Sequence, residues 1–212
     1  MVNKKSILEG GLRLQNANKE SLKNKPVVSI VTVVYNGAKY LEETIQSVIN
    51  QTYNNVEYII IDGASTDDTL DIIKKYEDKI DYWISESDSG IYDAMNKGSS
   101  IAKGDYALFL NSDDYLFNEN SVEKAVNAAI SKTSLPLLVV GQIIHAIKDR
   151  EIINWKYPLT NDDLSQGNPP HPSTFIHSSI YRRFPYKTMY SFAGDYDLWE
   201  ALRNNGLYNV CF

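Results

Sequence analysis

The sequence contains a single cysteine, Cys211, among its 212 residues. An intramolecular disulfide is therefore impossible, and nothing in the chain calls for an oxidising compartment. We expect the protein to work in the reducing cytoplasm.

Long apolar runs are also missing. The longest ones, Val27–Tyr35 and Leu135–Gly141, fall far short of the roughly 18–20 residues that cross a membrane as a helix. No apolar stretch and no small-residue cleavage site follows Lys4 and Lys5, which argues against a secretory signal.

The chain as a whole lacks excess positive charge, because 21 Lys and Arg residues stand against 27 Asp and Glu, for a net charge of -6. Nonspecific nucleic-acid binding needs Lys and Arg to neutralise phosphates, so we expect no nucleic-acid partner. Residues 1–25, which we call the basic leader, nevertheless carry a net charge of +4. Two interpretations stay open for the leader: a solvated, partly helical extension, or a weak peripheral contact with an anionic membrane surface.

From Pro26 onward, short apolar strands alternate with amphipathic helices. The β-branched runs Val27–Tyr35 and Val56–Ile61 are typical of strands buried on both faces of a parallel sheet. Shorter strands are predicted at Ile80–Ser85 and Tyr106–Leu110, and helices at Lys39–Asn50, after the cap residues Ser65 and Thr66, and at Gly90–Ala102. This alternation predicts an α/β fold with an open, mostly parallel sheet flanked by helices.

After Asp114 the alternation is looser. We predict a helix at Glu119–Ser131, a strand at Leu137–His145, a hairpin through Ile152–Trp155 after a turn at Lys148–Glu151, an element at Thr174–Tyr181 and a helix at Asp195–Asn204. The proline-rich stretch Tyr157–Pro172 is predicted to be a long, functional surface loop. The apolar ending Val210–Phe212 has no turn or polar tail after it, from which we expect a chain truncated at its C-terminus.

Acidic side chains follow three of the four predicted parallel strands, at Asp62, Glu86–Asp88 and Asn111–Asp114. In an open parallel sheet, ligands bind outside the carboxyl ends of the strands, so these side chains should converge. Clustered carboxylates repel one another unless a cation or a proton neutralises them. Oxygen ligands suit Mg²⁺ or Mn²⁺, which reach a protein through one or two carboxylates plus substrate phosphates. The pattern therefore predicts a divalent ion that bridges a diphosphate.

The familiar phosphate-binding loops are absent. Neither GxxxxGK[ST] nor GxGxxG follows the first strand, where the chain has Tyr35–Lys39. This disfavours P-loop NTPases and NAD enzymes. It also counts against a nucleotidyltransferase, which should have a Gly-rich, basic phosphate loop at that point.

Four segments together resemble the inverting nucleotide-sugar glycosyltransferases of family 2, which have the GT-A fold. They are SIVTVVYNGAKYLEETIQSVINQTY, EYIIIDGASTDDT, SDSGIYDAMNKGSSIAKGDYALFLNSDD and AGDYDLW, in that order and at the predicted strand ends. Within the family, the sequence looks most like bacterial enzymes of exopolysaccharide, capsule or O-antigen synthesis. The resemblance implies one GT-A domain over residues 26–212, with a Rossmann-like nucleotide-binding half, 26–115, and an acceptor-binding half, 116–212.

The resemblance implies roles for particular residues in donor binding. Nucleotide contacts are expected from Val34, Tyr35, Asn36, Asp62, Asp88, Lys97, Asn111, Ser112 and Asp113, with Asp62 bound to the base and Lys97 to a phosphate. Asn111–Asp114 is similar to the family's DxD element, so Asp113 is expected to bind Mn²⁺ or Mg²⁺ with Asp114 in support. Asn111 departs from the pattern, because the first Asp of the element often stands there; an amide can still accept a hydrogen bond from a ribose hydroxyl.

For catalysis, the resemblance implies that Asp195 is the base that deprotonates the acceptor hydroxyl. Gly194 departs from the family pattern, since it replaces a partner acid. His171 lies between two prolines and is open to three interpretations: a third metal ligand, a phosphate contact, or a loop histidine without a role. Trp155 is the expected acceptor-site aromatic residue.

The implied function is metal-dependent, inverting transfer of a monosaccharide from a nucleoside-diphosphate sugar, with UDP the expected nucleotide, to a glycan or lipid-linked acceptor. The expected location is the cytoplasm, including the inner face of the membrane. Two alternatives stay open: a catalytically silent member of the fold that binds nucleotide or partner subunits, which Asn111 and Gly194 allow, and a nucleotidyltransferase.

Overall fold

A computed structural model of the chain describes residues 7–16, 18–132, 134, 136–141, 145–147, 150–153, 169–191, 194–208 and 210–211. The strands are β1 Leu8–Gly10, β2 Val28–Val34, β3 Val56–Asp62, β4 Tyr82–Ser85, β5 Tyr106–Asn111, β6 Leu138–Val140, β7 His145–Ile147, β8 Arg150–Ile153, β9 Thr174–His177 and β10 Val210–Cys211. The helices are α1 Leu41–Ile49, α2 Thr69–Lys75, α3 Ile91–Ile101, α4 Ser121–Ile130, α5 Ser178–Tyr181 and α6 Gly194–Asn204, and 3-10 turns cover Leu12–Gln15 and His171–Ser173.

The main sheet has eight strands in the order β1-β4-β3-β2-β5-β9-β6-β10, and β7 pairs with β8 in a separate hairpin. Strands β4, β3, β2 and β5 run parallel to one another. Strand β9 is antiparallel to its neighbours β5 and β6, and β10 is parallel to β6. The predicted open, mostly parallel but mixed sheet is confirmed.

Helices cover both faces of this sheet, which is why its central strands are mostly apolar. All seven residues of β2 are buried. Its side chains alternate between two cores, so Ile30 packs among residues of α1, α2 and α4 on one face, while Val31 packs among residues of α3 and α6 on the other. Burial on both faces removes the period of two that a half-exposed strand would show.

The predicted strand Leu137–His145 is not continuous. Strand β6 ends at Val140, and the Gly141 amide still donates to the Ser173 carbonyl (2.8 Å), next to the last pair of β6 and β9. His145 belongs instead to the hairpin of β7 and β8. That hairpin is confirmed, although its second strand begins at Arg150, inside the predicted turn.

The basic leader is largely exposed and contains the 3-10 turn Leu12–Gln15, in line with one of its two interpretations, but it is also attached to the main sheet. Strand β1 pairs antiparallel with β4 and is therefore the outermost strand on that side of the main sheet. Arg13 forms an ion pair with Glu57, and Lys19 forms one with Asp81 at 2.7 Å. Because both carboxylates are largely buried, the leader's cations satisfy charges that the sheet would otherwise leave unpaired. The division of the chain at residue 26 stays a prediction.

Candidate active site

The strand registers bring the predicted site residues to one edge of the sheet. Val34 of β2 lies opposite Asp62 of β3, which lies opposite Ser85 of β4. On the other side of β2, Val33 lies opposite Asn111 of β5. The carboxyl ends of four parallel strands therefore meet at one level, as ligand sites in open parallel sheets do.

A cleft of about 440 Å³ opens at this edge. Six of the nine predicted nucleotide-binding residues line it: Val34, Tyr35, Asp88, Asn111, Ser112 and Asp113. Val33, Gly90, Ile91 and Ala94 complete the lining, the last three from the start of α3. Asn36, Asp62 and Lys97 do not line the cleft.

Asn36 joins the loops after β2 and β3. The backbone amide of Asn36 donates to the Ser65 hydroxyl, and its side-chain oxygen accepts from the backbone amide of Thr66, both at 2.8 Å. Its φ of 52° lies in the left-handed region, which asparagine tolerates better than most residues. Ser65 and Thr66 therefore hold the loop instead of capping α2, which begins only after Asp68.

Asp62 is fully buried beneath these loops. Its carboxylate accepts hydrogen bonds from the Ser65 amide and hydroxyl and from the Ser85 hydroxyl, the last at 2.6 Å. Three donors satisfy a buried charge that would otherwise be costly. In this structure Asp62 fixes the loop after β3 and has no exposed surface, so its predicted contact with a base would require this loop to move.

The ammonium group of Lys97 is bound by acceptors from the loop after β4 and from α3. Its ammonium group lies 2.9 Å from a Glu86 carboxylate oxygen and 3.8 Å from one of Asp93, and it donates to the Ser87 carbonyl at 2.9 Å. These contacts tie the loop after β4 to α3. The predicted phosphate contact of Lys97 would require these contacts to open.

The segment that resembles the DxD element begins at the end of β5 and is braced by α1. The Thr44 hydroxyl lies 2.9 and 2.8 Å from the carbonyl oxygens of Ser112 and Asp114. The Asn111 amide nitrogen donates to Asp114 at 3.1 Å, an interaction that an aspartate at this position could not make unless protonated. The Asn111 side-chain oxygen is buried and, among the described residues, has no donor. Asp113 is exposed.

His171 lies in the 3-10 turn before β9, stacked on Phe109 at 5.8 Å between ring centroids. Its Nε2 is 2.9 Å from the Tyr186 hydroxyl, and burial lowers its pKa to about 4, so the ring is neutral at pH 7. Within the described part of the chain, no three His, Cys, Asp or Glu side chains lie close enough to hold a metal ion. His171 therefore does not join Asp113 and Asp114 in a three-ligand set.

Asp195 is in the first turn of α6, which packs on the same face of the sheet as α3. The amide of the preceding residue, Gly194, donates to the Tyr92 hydroxyl of α3 at 2.7 Å. Burial raises the pKa of Asp195, against the opposing effect of nearby backbone amides. A carboxylate with a raised pKa at the start of a helix is suited to proton abstraction. Trp155, the predicted acceptor residue, lies outside the described residues.

The prediction from sequence missed the aromatic residues around Asp195. Tyr92, Phe109 and Tyr186 pack together beneath the start of α6, with ring centroids 5.4 Å apart for the two tyrosines. Phe109 lies in the apolar run of β5, and Tyr186 follows Pro185 between charged residues, so neither offered a signal in the sequence; Tyr92 lies inside the segment that resembles the family.

A family model described as Glycosyl transferase family 2 matches residues 29–190, more than half of the chain. The chain belongs to glycosyltransferase family 2. The match spans β2 to the loop before α6 and so includes every lining residue of the cleft. It ends before Asp195, whose assignment rests on the resemblance of residues 193–199 alone.

Relatives in this family come from diverse bacteria. An uncharacterised glycosyltransferase of Mycobacterium tuberculosis is 39% identical over 176 residues, covering 82% of this chain and 63% of its own. A PGL/p-HBAD biosynthesis glycosyltransferase of Mycobacterium bovis is 30% identical over 177 residues, covering 81% and 68%. TuaG of Bacillus subtilis, named for teichuronic acid biosynthesis, is 40% identical over 113 residues, covering 51% and 44%. The chain spans about three fifths of the length of the first relatives that it matches.

Solved glycosyltransferase structures share the fold. S. aureus TarS in complex with UDP has a TM-score of 0.73 at 19% identity, over 87% of this chain and 57% of that one. The mannosyltransferase PcManGT of Pyrobaculum calidifontis, in complex with GDP-Man and Mn²⁺, has a TM-score of 0.65 at 15% identity, over 92% and 59%. These likenesses confirm the predicted GT-A fold.

Proposed function

We propose that this family 2 chain transfers a monosaccharide from a nucleoside-diphosphate sugar to a hydroxyl group of a glycan or lipid-linked acceptor, with inversion at the anomeric carbon. The observation that carries the proposal is the cleft. Residues from the ends of β2 and β5, the loop after β4 and the start of α3 line one space, and the desolvated carboxylate of Asp195 lies at the start of the neighbouring α6.

The charge of the cleft supports a cation beside the diphosphate. Asp88 and Asp113 line it, and the described lining residues include no Lys or Arg. A diphosphate would therefore meet repulsion unless a positive ion came with it. Asp113 offers the hard carboxylate oxygens that Mg²⁺ and Mn²⁺ prefer, and the Asn111 side-chain oxygen, buried behind the cleft lining, has no donor among the described residues, so these two residues fit such an ion. When bound, a divalent ion stabilises negative charge on the leaving diphosphate.

In the proposed reaction, the Asp195 carboxylate takes the proton of the acceptor hydroxyl. The acceptor oxygen forms a bond to the anomeric carbon on the face opposite the diphosphate. The bond from that carbon to the diphosphate oxygen breaks, and its electron pair leaves with the diphosphate. A single displacement of this kind inverts the configuration, and the raised pKa of Asp195 makes it a stronger base than an ordinary aspartate.

The donor and the pathway are proposed from relatives. TarS has been solved with UDP and with UDP-GlcNAc, which supports a UDP-sugar. PcManGT has been solved with GDP-Man, so guanosine diphosphate is the natural competitor to test. The name of TuaG supports a role in cell-surface polysaccharide synthesis. The proposed location is the cytoplasm, with a peripheral membrane contact.

The first experiment measures thermal stabilisation by UDP and GDP, each with Mn²⁺, Mg²⁺ or EDTA. A ligand at 100 times its Kd stabilises the native state by about 2.7 kcal/mol, which corresponds to a rise of several degrees in Tm. We expect stabilisation by UDP that needs the metal and is lost in Asp113→Asn. Asp78→Asn, an exposed aspartate in the turn before β4, is the matched control. Metal-independent binding, or equal loss in the control, would contradict the assigned site.

The second experiment measures sugar transfer or release from labelled UDP-sugars with Mn²⁺ and candidate acceptors. We expect turnover by the wild type and loss of at least 100-fold in Asp195→Asn without loss of UDP binding. Metal-dependent UDP binding with no turnover of any donor would favour the catalytically silent alternative instead.

We also propose that the start of the leader contacts an anionic membrane surface. Strand β1 runs antiparallel to β4 with Leu8 opposite Ser85, so Leu8 lies at the carboxyl ends of the parallel strands, where the cleft opens. Ile7 and Leu8 are exposed there, directly after a segment that contains Lys4 and Lys5. Exposed apolar and basic residues together suit a membrane interface. Among the described residues, no helix is long and apolar enough to cross a bilayer.

A further inference from the structure

The start of α6 is held by a side chain from another helix. The Gly194 amide, one of the first N–H groups of α6, donates to the Tyr92 hydroxyl at 2.7 Å. These first amides have no partner inside their own helix and usually bond to a nearby Ser, Thr, Asp or Asn. Here Tyr92 of α3, which is 102 positions away in sequence, takes that role.

Gly194 allows this contact because it has no side chain. A Cβ atom at position 194 would lie 2.8 Å from Cε2 and 2.9 Å from Cζ of the Tyr92 ring, closer than Cβ atoms approach other atoms in proteins. The ring therefore lies directly against the backbone that precedes Asp195. This close approach gives a physical reason for glycine where the family pattern has an acid.

Tyr92 is itself fixed by its neighbours. It is 8% exposed, and its ring packs on Tyr186 with an angle of 31° between the ring planes. One turn further along α3, Asn96 donates to the Tyr186 carbonyl and accepts from the Tyr186 amide, both at 2.8 Å. Tyr92 and Asn96 share a face of the helix because they are four residues apart. One face of α3 thus contacts both the loop at Tyr186, through Asn96, and the start of α6, through Tyr92.

The same helix also borders the donor cleft. Ile91 and Ala94, on either side of Tyr92 in sequence, line the cleft. A hydroxyl contact from Tyr92 to Gly194 therefore fixes the first turn of α6 relative to the cleft wall. In the proposed reaction this sets the position of Asp195 relative to the bound donor.

We infer that Tyr92 is a positioning residue for Asp195: its hydroxyl caps α6 and holds the base against α3 at a set distance from the donor. The inference rests on the proposed transferase function. Tyr92 does not touch the reacting atoms in this role. It keeps the Asp195 carboxylate at a half-buried place from which the acceptor proton can be taken.

Tyr92→Phe tests the inference, because it removes the hydroxyl and keeps the ring. Tyr181→Phe is the matched control: Tyr181 is another buried tyrosine, and its hydroxyl donates to the Gly104 carbonyl at 3.0 Å, away from the cleft lining. Both variants lose one buried hydroxyl contact to the backbone, so both should lower Tm to a similar extent. Only Tyr92→Phe should affect Asp195.

Amide hydrogen exchange measures the hydrogen bond from the Gly194 amide to the Tyr92 hydroxyl, and it does so whether or not the protein is active. We expect the Gly194 amide to be protected in the wild type and in Tyr181→Phe, and to exchange at least tenfold faster in Tyr92→Phe. An unprotected Gly194 amide in the wild type, or unchanged exchange in Tyr92→Phe, would overturn the contact.

Steady-state kinetics then measure the effect of the contact on catalysis by Asp195. We expect kcat of Tyr92→Phe to fall about tenfold with donor KM within twofold, because a small displacement of a catalytic group is costly. The acid limb of its kcat profile should move to lower pH, since a looser helix start exposes the carboxylate to water. Among the described residues, the titratable or charged groups in and next to the first turn of α6 are Tyr196, Tyr92, Tyr186 with its partner His171, and the ion pair of Lys187 with Asp197.

The outcomes separate this inference from the proposed function. A tenfold kcat loss that Tyr181→Phe shares, or an unchanged kcat and pH profile in Tyr92→Phe, would make Tyr92 merely structural. A wild type that turns over no nucleotide sugar, with the Gly194 amide protected as expected, would overturn the proposed transferase function and with it the catalytic purpose of the contact.

Discussion

Asp62 and Lys97 are charged residues near the cleft whose charges are already satisfied within the protein. Asp62 is bonded to Ser65 and Ser85, and Lys97 lies between Glu86 and Asp93. The resemblance to family 2 implies direct contact of both with the nucleotide, and that contact stays a prediction. In this structure each of the two side chains holds a loop, and the charged residues that line the cleft are Asp88 and Asp113.

Asp195→Asn should stabilise the protein while it abolishes transfer. Burial raises the pKa of Asp195, so the ionised carboxylate costs stability at neutral pH. We expect Tm to rise by about 1–3 °C at pH 7.5. The gain should shrink as the pH falls through the raised pKa and vanish below the ordinary value of 3.8, where both native and unfolded chains are protonated.

Thermal unfolding from pH 3 to pH 8 measures this effect, with Asp78→Asn as the control at an exposed position. The control should show no gain at any pH. A lower Tm for Asp195→Asn at pH 7.5 would mean that the carboxylate makes a stabilising contact, and it would count against the desolvated base.

At the scale of elements, α3 serves two parts of the site. Its first residues line the cleft, and Tyr92 and Asn96 hold the surroundings of Asp195. The sequence predicted this helix at Gly90–Ala102, within one residue of its observed ends. It did not predict the partners, because a buried tyrosine that faces the core and one that faces a helix start have the same local pattern.

The attachment of the leader to the sheet through Arg13 and Glu57 can be measured as a contribution to the free energy of unfolding. Arg13→Met should lower the free energy of unfolding by about 3 kcal/mol, because it leaves the Glu57 carboxylate buried without its cation. Among the described residues, the Ser29 hydroxyl at 2.6 Å and the Lys103 backbone amide at 2.8 Å would still bond to it. Urea unfolding gives the value, and Arg13→Met combined with Glu57→Gln should recover part of the loss.

Lys75→Met is the matched control, since Lys75 forms an exposed ion pair with Glu42 at 2.6 Å. Exposed pairs contribute less than about 1 kcal/mol, so this variant should stay near the wild type. Equal losses in the two variants would show that the leader is not anchored through Arg13.

At the scale of the whole molecule, the described part of the leader runs from one side of the main sheet to the other. Leu8 is level with Ser85, at the carboxyl ends of the parallel strands, whereas Lys25 precedes the amino end of β2. A membrane that binds next to Leu8 would therefore face the cleft, and one that binds next to Lys25 would not. The proposed membrane contact can therefore be tested by comparing charge changes near the start of the leader with the same changes near its end.

Lys4→Glu with Lys5→Glu should weaken binding of the full chain to vesicles that contain phosphatidylserine by at least tenfold, since each basic residue near such a surface contributes about 1 kcal/mol. Lys23→Glu with Lys25→Glu makes the same charge change at the other edge and should leave binding within twofold. Co-sedimentation at 0.1 M salt gives both values. Equal weakening by both pairs would indicate a general charge effect and would contradict the proposed contact.

The pattern of apolar and polar residues was enough to predict the alternation of strands and helices and the polar residues that follow each strand. Buried parallel strands need long apolar runs, and the same pattern shows where they end, so Val34, Asn111 and Asp113 could be predicted at the site. The contacts of Tyr92 with Gly194, of Arg13 with Glu57 and of Lys97 with Glu86 became visible in the folded chain alone. These contacts join residues that local periodicity treats as independent, because they depend on how distant elements pack and which charges that packing buries.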